Sequence, residues 1–504
     1  MSVKCRILND ICKWLYWREY CRFAAPCHIG RVQGAYLQEL LRKNADTVYG
    51  RECGFDRIHN YRDFARMVPL TRYEDYEPYI DRMCKGERRV LTAEDVLLFE
   101  LTSGSSGGKK LIPYTPSLKQ EFQRGIRPWL YDIYDKIEGV TEGKSYWSIT
   151  PVTAARQYAP CGIPIGFEED AEYFGRLEQG IMGMLFAVGS EVKFVSDMQD
   201  FYWRTCVQLL NCEELSLISV WNPTFLTILC DFIVEHAGEL ARTLPSGRRR
   251  LLWEAVRANR FDRLFPKLKL ISCWADGASA DYVEAVRRRF PSVYLEPKGL
   301  LATECFVSFP LVGEEGSRLS VYSHFFEFRS LSNNEIYPAH RLQKGEYELI
   351  VTTGGGFYRY CIGDIVEVLE TYPNHPPRIR FLRRKGIACD LFGEKLTEEF
   401  VHQALLSLGI GEHFALLAPA GNRYCLYTDA GHITGEMLDR ALRESYHYDY
   451  CRSLGQLEGA AVQIVSGRPE KDYIRRLSGE GMRIGDIKPA HLSGKSGWEE
   501  WFEM

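Results

Sequence analysis

Four short runs rich in β-branched or aromatic residues recur along the middle of the chain: SYWSIT (145–150), LSLISVW (215–221), LKLISCWA (268–275) and SVYLEP (292–297). Each has the composition of a strand. Helical patterns lie between them, including TFLTILCDFIVEHAGELAR and ADYVEAVRRRF. Strands alternating with helices require a largely parallel α/β sheet, which constrains this chain more than any other feature. Upstream, residues 31–45 place Val32, Tyr36, Leu37, Leu40 and Leu41 on one helical face. Pro69 and Thr71 read as the start of the next helix, and Val96 to Leu101 as a buried strand. GEYELIVTT (345–353) and DIVEVLE (364–370) read as antiparallel additions. A Pro-rich and then charged stretch, YPNHPPRIRFLRRKG, precedes a helix–strand–helix–strand pattern of about 120 residues, close to the usual size of a domain. The expected architecture is α/β. A large N-terminal domain (1–380) carries mostly parallel sheets flanked by helices and a β-subdomain, and a small α/β C-terminal domain (381–504) follows.

With 504 residues, 45% of them hydrophobic, the chain can bury a substantial core. A charged fraction of 26% and a net charge of −4 carry no basic excess for nucleic acid, nor the imbalance of a disordered chain. The 16 cysteines are scattered from Cys5 to Cys451 with no C-x-x-C pair, so reduced core thiols are expected rather than disulfides or zinc ligands. The N-terminal segment MSVKCRILNDICKWLYWREYCRF lacks an uninterrupted apolar region, and no window approaches the ~18–20 apolar residues of a membrane span. Its Trp14–Trp17 cluster has basic neighbours suited to a membrane surface, but packing against the body of the protein is the stronger expectation. A soluble, cytoplasmic protein is expected.

Four stretches carry chemistry. LTSGSSGGKKLIPYT (101–115) follows a strand with glycines, the hydroxyls of Thr102, Ser103, Ser105 and Ser106, and the cations Lys109 and Lys110. Free backbone N–H groups and hydroxyls suit a phosphate chain, although a solvated linker shares this composition. The spacing is not that of a Walker A loop. KGLLATECFVSFP (298–310) places Thr303 and Glu304 just beyond a strand end, where a carboxylate can hold Mg²⁺ or merely cap a helix. GGGFYRYCIGDIVEV (354–368) sets Asp364 at a strand start, as a ribose acceptor or a turn residue. FLRRKGIACDLFGEKLTEEF clusters Arg383, Arg384, Lys385 and Lys395 at the inferred domain junction, as a polyanion clamp or a solvated hinge. Aromatic residues around Trp147–Thr153 and Trp221–Phe225 suit a ring or alkyl chain, and core packing explains them equally well.

Together with LQELLRKNADTVYGRECGF and VPLTRYEDYEPYIDRMCKGE, these stretches, in this order, resemble the GH3 family of acyl acid–amido synthetases. The resemblance spans nearly the whole chain. It implies the fold of the adenylate-forming superfamily, with a large N-terminal and a small mobile C-terminal domain. It also implies ATP and Mg²⁺ as cofactors, and a small carboxylic acid and an amino acid as substrates. The acid is activated as an acyl-adenylate with loss of pyrophosphate, then passed to the amine with loss of AMP. Carried over residue by residue, the resemblance gives Ser103, Ser105 and Ser106 phosphate contacts. Thr303 and Glu304 resemble phosphate and Mg²⁺ contacts, and Asp276 and Gly277 the segment beside adenine. Asp364 matches the ribose ligand, with Tyr358 nearby. Arg384, Lys395 and Lys488 are similar to family residues that reach the nucleotide from the hinge and the small domain, and with Glu304 they form the implied catalytic set. The chain departs from the family pattern at Ser105, where Thr is usual, at Leu301, where Tyr is usual, and at Cys361, where a basic residue is common. An acyl-CoA ligase sharing the adenylation step and an inactive nucleotide-binding homologue are the alternatives. A monomer or weak homodimer without nucleic acid or stable membrane insertion is expected.

Overall fold

A computed structural model describes residues 3–103, 109–148, 157–166, 176–195, 197–385, 388–392, 394–480, 482 and 487–503. The parallel sheet is present. Its strands run Lys144–Trp147, Leu215–Ser219, Leu270–Cys273 and Tyr294–Pro297 in that spatial order, every pair parallel. The two central strands are buried along their whole length. A strand covered on both faces loses its alternation, which is why these segments read as continuous apolar runs. The helix expected over 224–242 divides at His236 into Pro223–Glu235 and Ala237–Arg242. The first of these is capped by the Asn222 side chain, which accepts from the Thr224 amide.

A seven-stranded antiparallel sheet forms the β-subdomain. Its spatial order is Ser308–Phe309, Ser317–Leu319, Arg378–Arg384, Tyr360–Glu370, Gly345–Thr352, Phe325–Ser330 and Ile336–Pro338. The helix Ile29–Lys43 docks on it through buried Gln33, which donates to the Val321 and His324 carbonyls and accepts from the Phe326 amide. Thr71 does not start a helix. Its hydroxyl donates to the Tyr358 carbonyl, and the helix begins at Tyr73, where the Asp75 carboxylate accepts from the Arg72 amide at 2.7 Å. Asp364 lies inside the strand Tyr360–Glu370 rather than at its start, beside a register shift.

The strand Arg378–Arg384 belongs to the large sheet, so a boundary at residue 381 falls within it. Beyond it, the strands Ala415–Ala420, Arg423–Thr428 and Ala461–Ile464 carry the helices Glu398–Ser407 and Gly435–Leu442 over a core of their own. This C-terminal unit is docked: Phe414, Leu416, Ala418, Trp498 and Phe502 join the apolar cluster of the parallel sheet. Asn222 donates to the Ile487 carbonyl at 3.0 Å, and Arg468 pairs with Asp231 and Glu235. None of the 16 cysteines forms a disulfide. Among the described residues no helix is long and apolar enough to cross a membrane. The Trp14–Trp17 cluster splits: Tyr16 is buried, whereas Trp14 and Trp17 are 72% and 52% exposed.

Candidate nucleotide site

Thr303 and Glu304 form the turn of a tight hairpin between Leu301–Ala302 and Cys305–Phe306. The hairpin is held on all sides. The Tyr114 hydroxyl donates to the Thr303 carbonyl (2.7 Å), the Phe306 amide donates to His324 Nε2 (2.9 Å), and the Leu300 amide donates to Ser308 Oγ (3.1 Å). Gly299 permits this approach, because a Cβ there would lie 2.0 Å from the Ser308 carbonyl oxygen. Glu304 is thereby fixed, buried, with the Tyr360 hydroxyl donating to it at 3.4 Å. Burial raises its pKa, and the Arg384 guanidinium opposes that rise.

Asp364 and Arg384 are direct cross-strand partners in the large sheet. Their side chains approach to 3.8 Å, and Arg384 also donates to the Ile362 carbonyl. The Asp364 carboxylate, followed by Glu304, holds the Arg384 pKa up against its burial. Asp364 Oδ1 is buried and has no hydrogen-bond partner among the described residues, a costly condition that a ligand hydroxyl would relieve. Two carboxylates, a guanidinium and a phenol therefore converge from three sequence regions. Lys110 acts on Glu304 as well, which brings the Leu98–Ser103/Lys109–Tyr114 hairpin to the same place. Lys109 and Lys110 lie in a strand, not in the loop, and Ser103 ends the preceding strand. Ser105 and Ser106 lie outside the described residues.

Asp276 and Gly277 follow the carboxyl end of the parallel strand Leu270–Cys273. Gly277 has φ +57° and sits against Phe381 and the Leu382 carbonyl, pinning this segment to the strand that carries Arg384. Burial pushes Asp276 up to about 6, opposed by Arg380 and the Phe381 amide. An open cleft lies here, lined among others by Trp274, Asp276, Lys298, Leu301, Phe381 and Lys488. Lys488 enters from the C-terminal unit, with its ammonium 5.0 Å from the Trp274 ring and 5.6 Å from that of Phe381.

Not every expected residue gathers here. Tyr358 is turned into the core: it is fully buried, stacks on Tyr49 at 5.3 Å and donates to the Leu91 carbonyl. The tyrosine on Glu304 is Tyr360. Lys395 is exposed in the C-terminal unit with φ +46°. At Cys361, Arg329 reaches over from two strands away to within 3.7 Å of Sγ, beside a Lys385–Glu348 pair. A guanidinium thus stands next to the thiol where the family pattern has a basic side chain.

Sequence reasoning missed Lys298. It is buried, donates to Ser219 Oγ at 2.6 Å, and lies 4.6, 5.2 and 5.6 Å from the rings of Trp221, Trp129 and Trp147. Neighbouring Glu296 accepts from Trp129 Nε1, and burial pushes it up to about 8. The available signal was positional. Ser219, Glu296 and Lys298 all fall at the carboxyl ends of parallel strands, where such sheets place ligands.

Fold and cleft define a two-unit α/β protein with a cleft between a parallel sheet, a β-subdomain and a small docked C-terminal unit. Residues 25–258 match the GH3 family N-terminal domain and residues 318–384 the GH3 family central domain, and the chain belongs to the GH3 family. Similar proteins include the putative indole-3-acetic acid-amido synthetase GH3.10 of Oryza sativa subsp. japonica, 24% identical across 80% of this chain and 87% of the relative. The putative indole-3-acetic acid-amido synthetase GH3.9 of Arabidopsis thaliana is 25% identical, across 86% of each. Among solved structures, the AtGH3.15 acyl acid amido synthetase in complex with 2,4-DB superposes with a TM-score of 0.80 at 19% identity, covering 97% of this chain and 95% of that one.

Proposed function

We propose that this protein is an ATP-dependent acyl acid–amido synthetase. The observation that carries the reading is the convergence of Glu304, Asp364, Arg384 and Tyr360 beside the Asp276–Lys488 cleft. The acid's carboxylate attacks the α-phosphorus of ATP. A carboxyl–phosphorus bond forms, the α–β anhydride breaks, and pyrophosphate leaves. An amino acid's amine then attacks the acyl carbon, forming the C–N bond and expelling AMP. Chemistry of this kind needs positioning and charge neutralisation rather than a protein nucleophile. Asp364 holds the ribose hydroxyls, and Arg384 and Lys110 offset phosphate charge. Asp276 and Leu301 flank the adenine, and Ser103, Ser105, Ser106 and Thr303 take the phosphate chain. Glu304 suits Mg²⁺, which, when bound, neutralises charge on the departing pyrophosphate. Among the described residues no group of three or more metal-ligating side chains gathers, so phosphate and water would complete its shell.

The acid lies against Trp129, Trp147 and Trp221, with Lys298 set to meet an acceptor on its far end. The C-terminal unit, taken as the residues beyond Arg384, rotates between the half-reactions and carries Lys395 and Lys488 to the reacting groups in turn. A cytoplasmic location fits the need for ATP and the 16 reduced thiols.

The test is ATP–pyrophosphate exchange over a panel of carboxylic acids with Mg²⁺, followed by mass spectrometry of products with amino acids or coenzyme A added. Exchange plus amide product is expected. A thioester product would move the protein to the acyl-CoA ligases, and nucleotide binding without exchange would make it an inactive homologue.

A further inference from the structure

The N-terminal helix Val3–Ala24 is apolar on two opposite faces. Cys5, Cys12, Tyr16 and Phe23 are buried against the body of the protein. Val3, Ile7, Ile11, Trp14 and Trp17 are 68%, 53%, 39%, 72% and 52% exposed. At 3.6 residues per turn the second set forms one stripe diametrically opposite the first. Lys4 and Arg22 border it along one edge and Arg6 and Lys13 along the other, Lys13 already bonded to Asp135 at 2.8 Å, and Arg18 lies within it. The helix has five basic residues against two carboxylates. Both carboxylates are already paired, Asp10 with Arg6 and Glu19 with Arg127.

The exposed stripe, interrupted by Asp10 and Arg18, carries two tryptophans and marks a contact surface. A core role is excluded, because the opposite face already supplies it. A dimer seam is a poor fit: a stripe about 21 Å long and about 10 Å wide falls well short of the roughly 800 Å² per partner that stable interfaces bury. A lipid surface needs no such area. Trp favours the headgroup level, aliphatic side chains enter the acyl boundary, and flanking Lys and Arg reach up to phosphates at about 1 kcal/mol each.

We propose that the Val3–Trp17 face lies in the plane of an anionic membrane surface, holding the protein there reversibly. The test is co-sedimentation of the full-length protein with vesicles of phosphatidylcholine alone or of equal parts phosphatidylcholine and phosphatidylglycerol. Binding to the mixed vesicles, weakened by salt and absent from the neutral ones, is expected. The double variant Trp14→Ser/Trp17→Ser and, separately, Lys4→Glu/Arg18→Glu should each lose at least about tenfold in partitioning. All four side chains face solvent, so wild-type melting and pyrophosphate exchange should persist in both. No partitioning of the wild type at low salt would overturn the proposal. So would light scattering that finds a dimer which the tryptophan variant turns into a monomer, since a second copy would then cover the stripe.

Discussion

Asp364 shows how one side chain can be both strained and useful. One of its oxygens is buried with no hydrogen-bond partner among the described residues, and its ion pair with Arg384 is long at 3.8 Å. Both facts leave room for a sugar hydroxyl. Asp364→Ala and Glu304→Gln should each lower pyrophosphate exchange by about 10²–10³-fold while far-UV circular dichroism stays unchanged. Asp276 yields a different prediction. Its folded pKa is raised to about 6 from 3.8, so protonation favours the folded state. That contribution is fully present below the unfolded value and is lost as pH rises through the folded one. Asp276→Asn should therefore match wild type in urea unfolding near pH 4 and exceed it, on the order of 2 kcal/mol, above pH 6. Equal stability at both pH values would remove the buried charge from the account. Lys298→Met should keep the volume beside the three tryptophans and shift the preferred acids in the exchange panel toward those without a distal acceptor.

At the scale of elements, the hairpin Leu301–Phe306 and the strand pair Tyr360–Glu370/Arg378–Arg384 decide where the chemistry sits. Gly299→Ala would drive a Cβ into the Ser308 carbonyl, so a loss of about 2–3 kcal/mol is expected, with exchange activity falling further than stability because Glu304 loses its support. The four parallel strands were legible because burial on both faces leaves an unbroken apolar run. Glu304 and Asp364 were legible as motif members, but their setting was not. Asp364 reads as a turn residue because Gly363 precedes it, whereas pairing across to Arg384, twenty residues on, keeps it inside a strand. Tyr358 and Tyr360 are two apart, and strand alternation would place them together. Arg359 adopts φ +50°, so the alternation breaks and the two rings go to different places, one to the core and one to Glu304. Lys298 was hidden because its three tryptophans come from separate segments that only tertiary packing unites.

For the whole molecule, the contact between the C-terminal unit and the parallel sheet mixes an apolar patch around Phe414, Leu416 and Trp498 with partly exposed ion pairs at Arg468. Arg468→Glu should reduce global stability by less than about 1 kcal/mol, because such pairs are solvent-screened. It should nonetheless raise hydrogen exchange selectively in Ala415–Ala420 and Pro469–Gly479. Uniform exchange across the chain would mean that the two units open only together. The strand Arg378–Arg384 joins these scales. It faces Asp364 through Arg384, packs Gly277 against Leu382, and lends Phe381 to Lys488 from the far unit. It is also the last sheet segment before the chain leaves for that unit. In the proposed function, sugar clamp and tether would thus be one mechanical part: a swing of the smaller lobe would pull directly on the grip that holds its nucleotide, and filling that grip would stiffen the pivot.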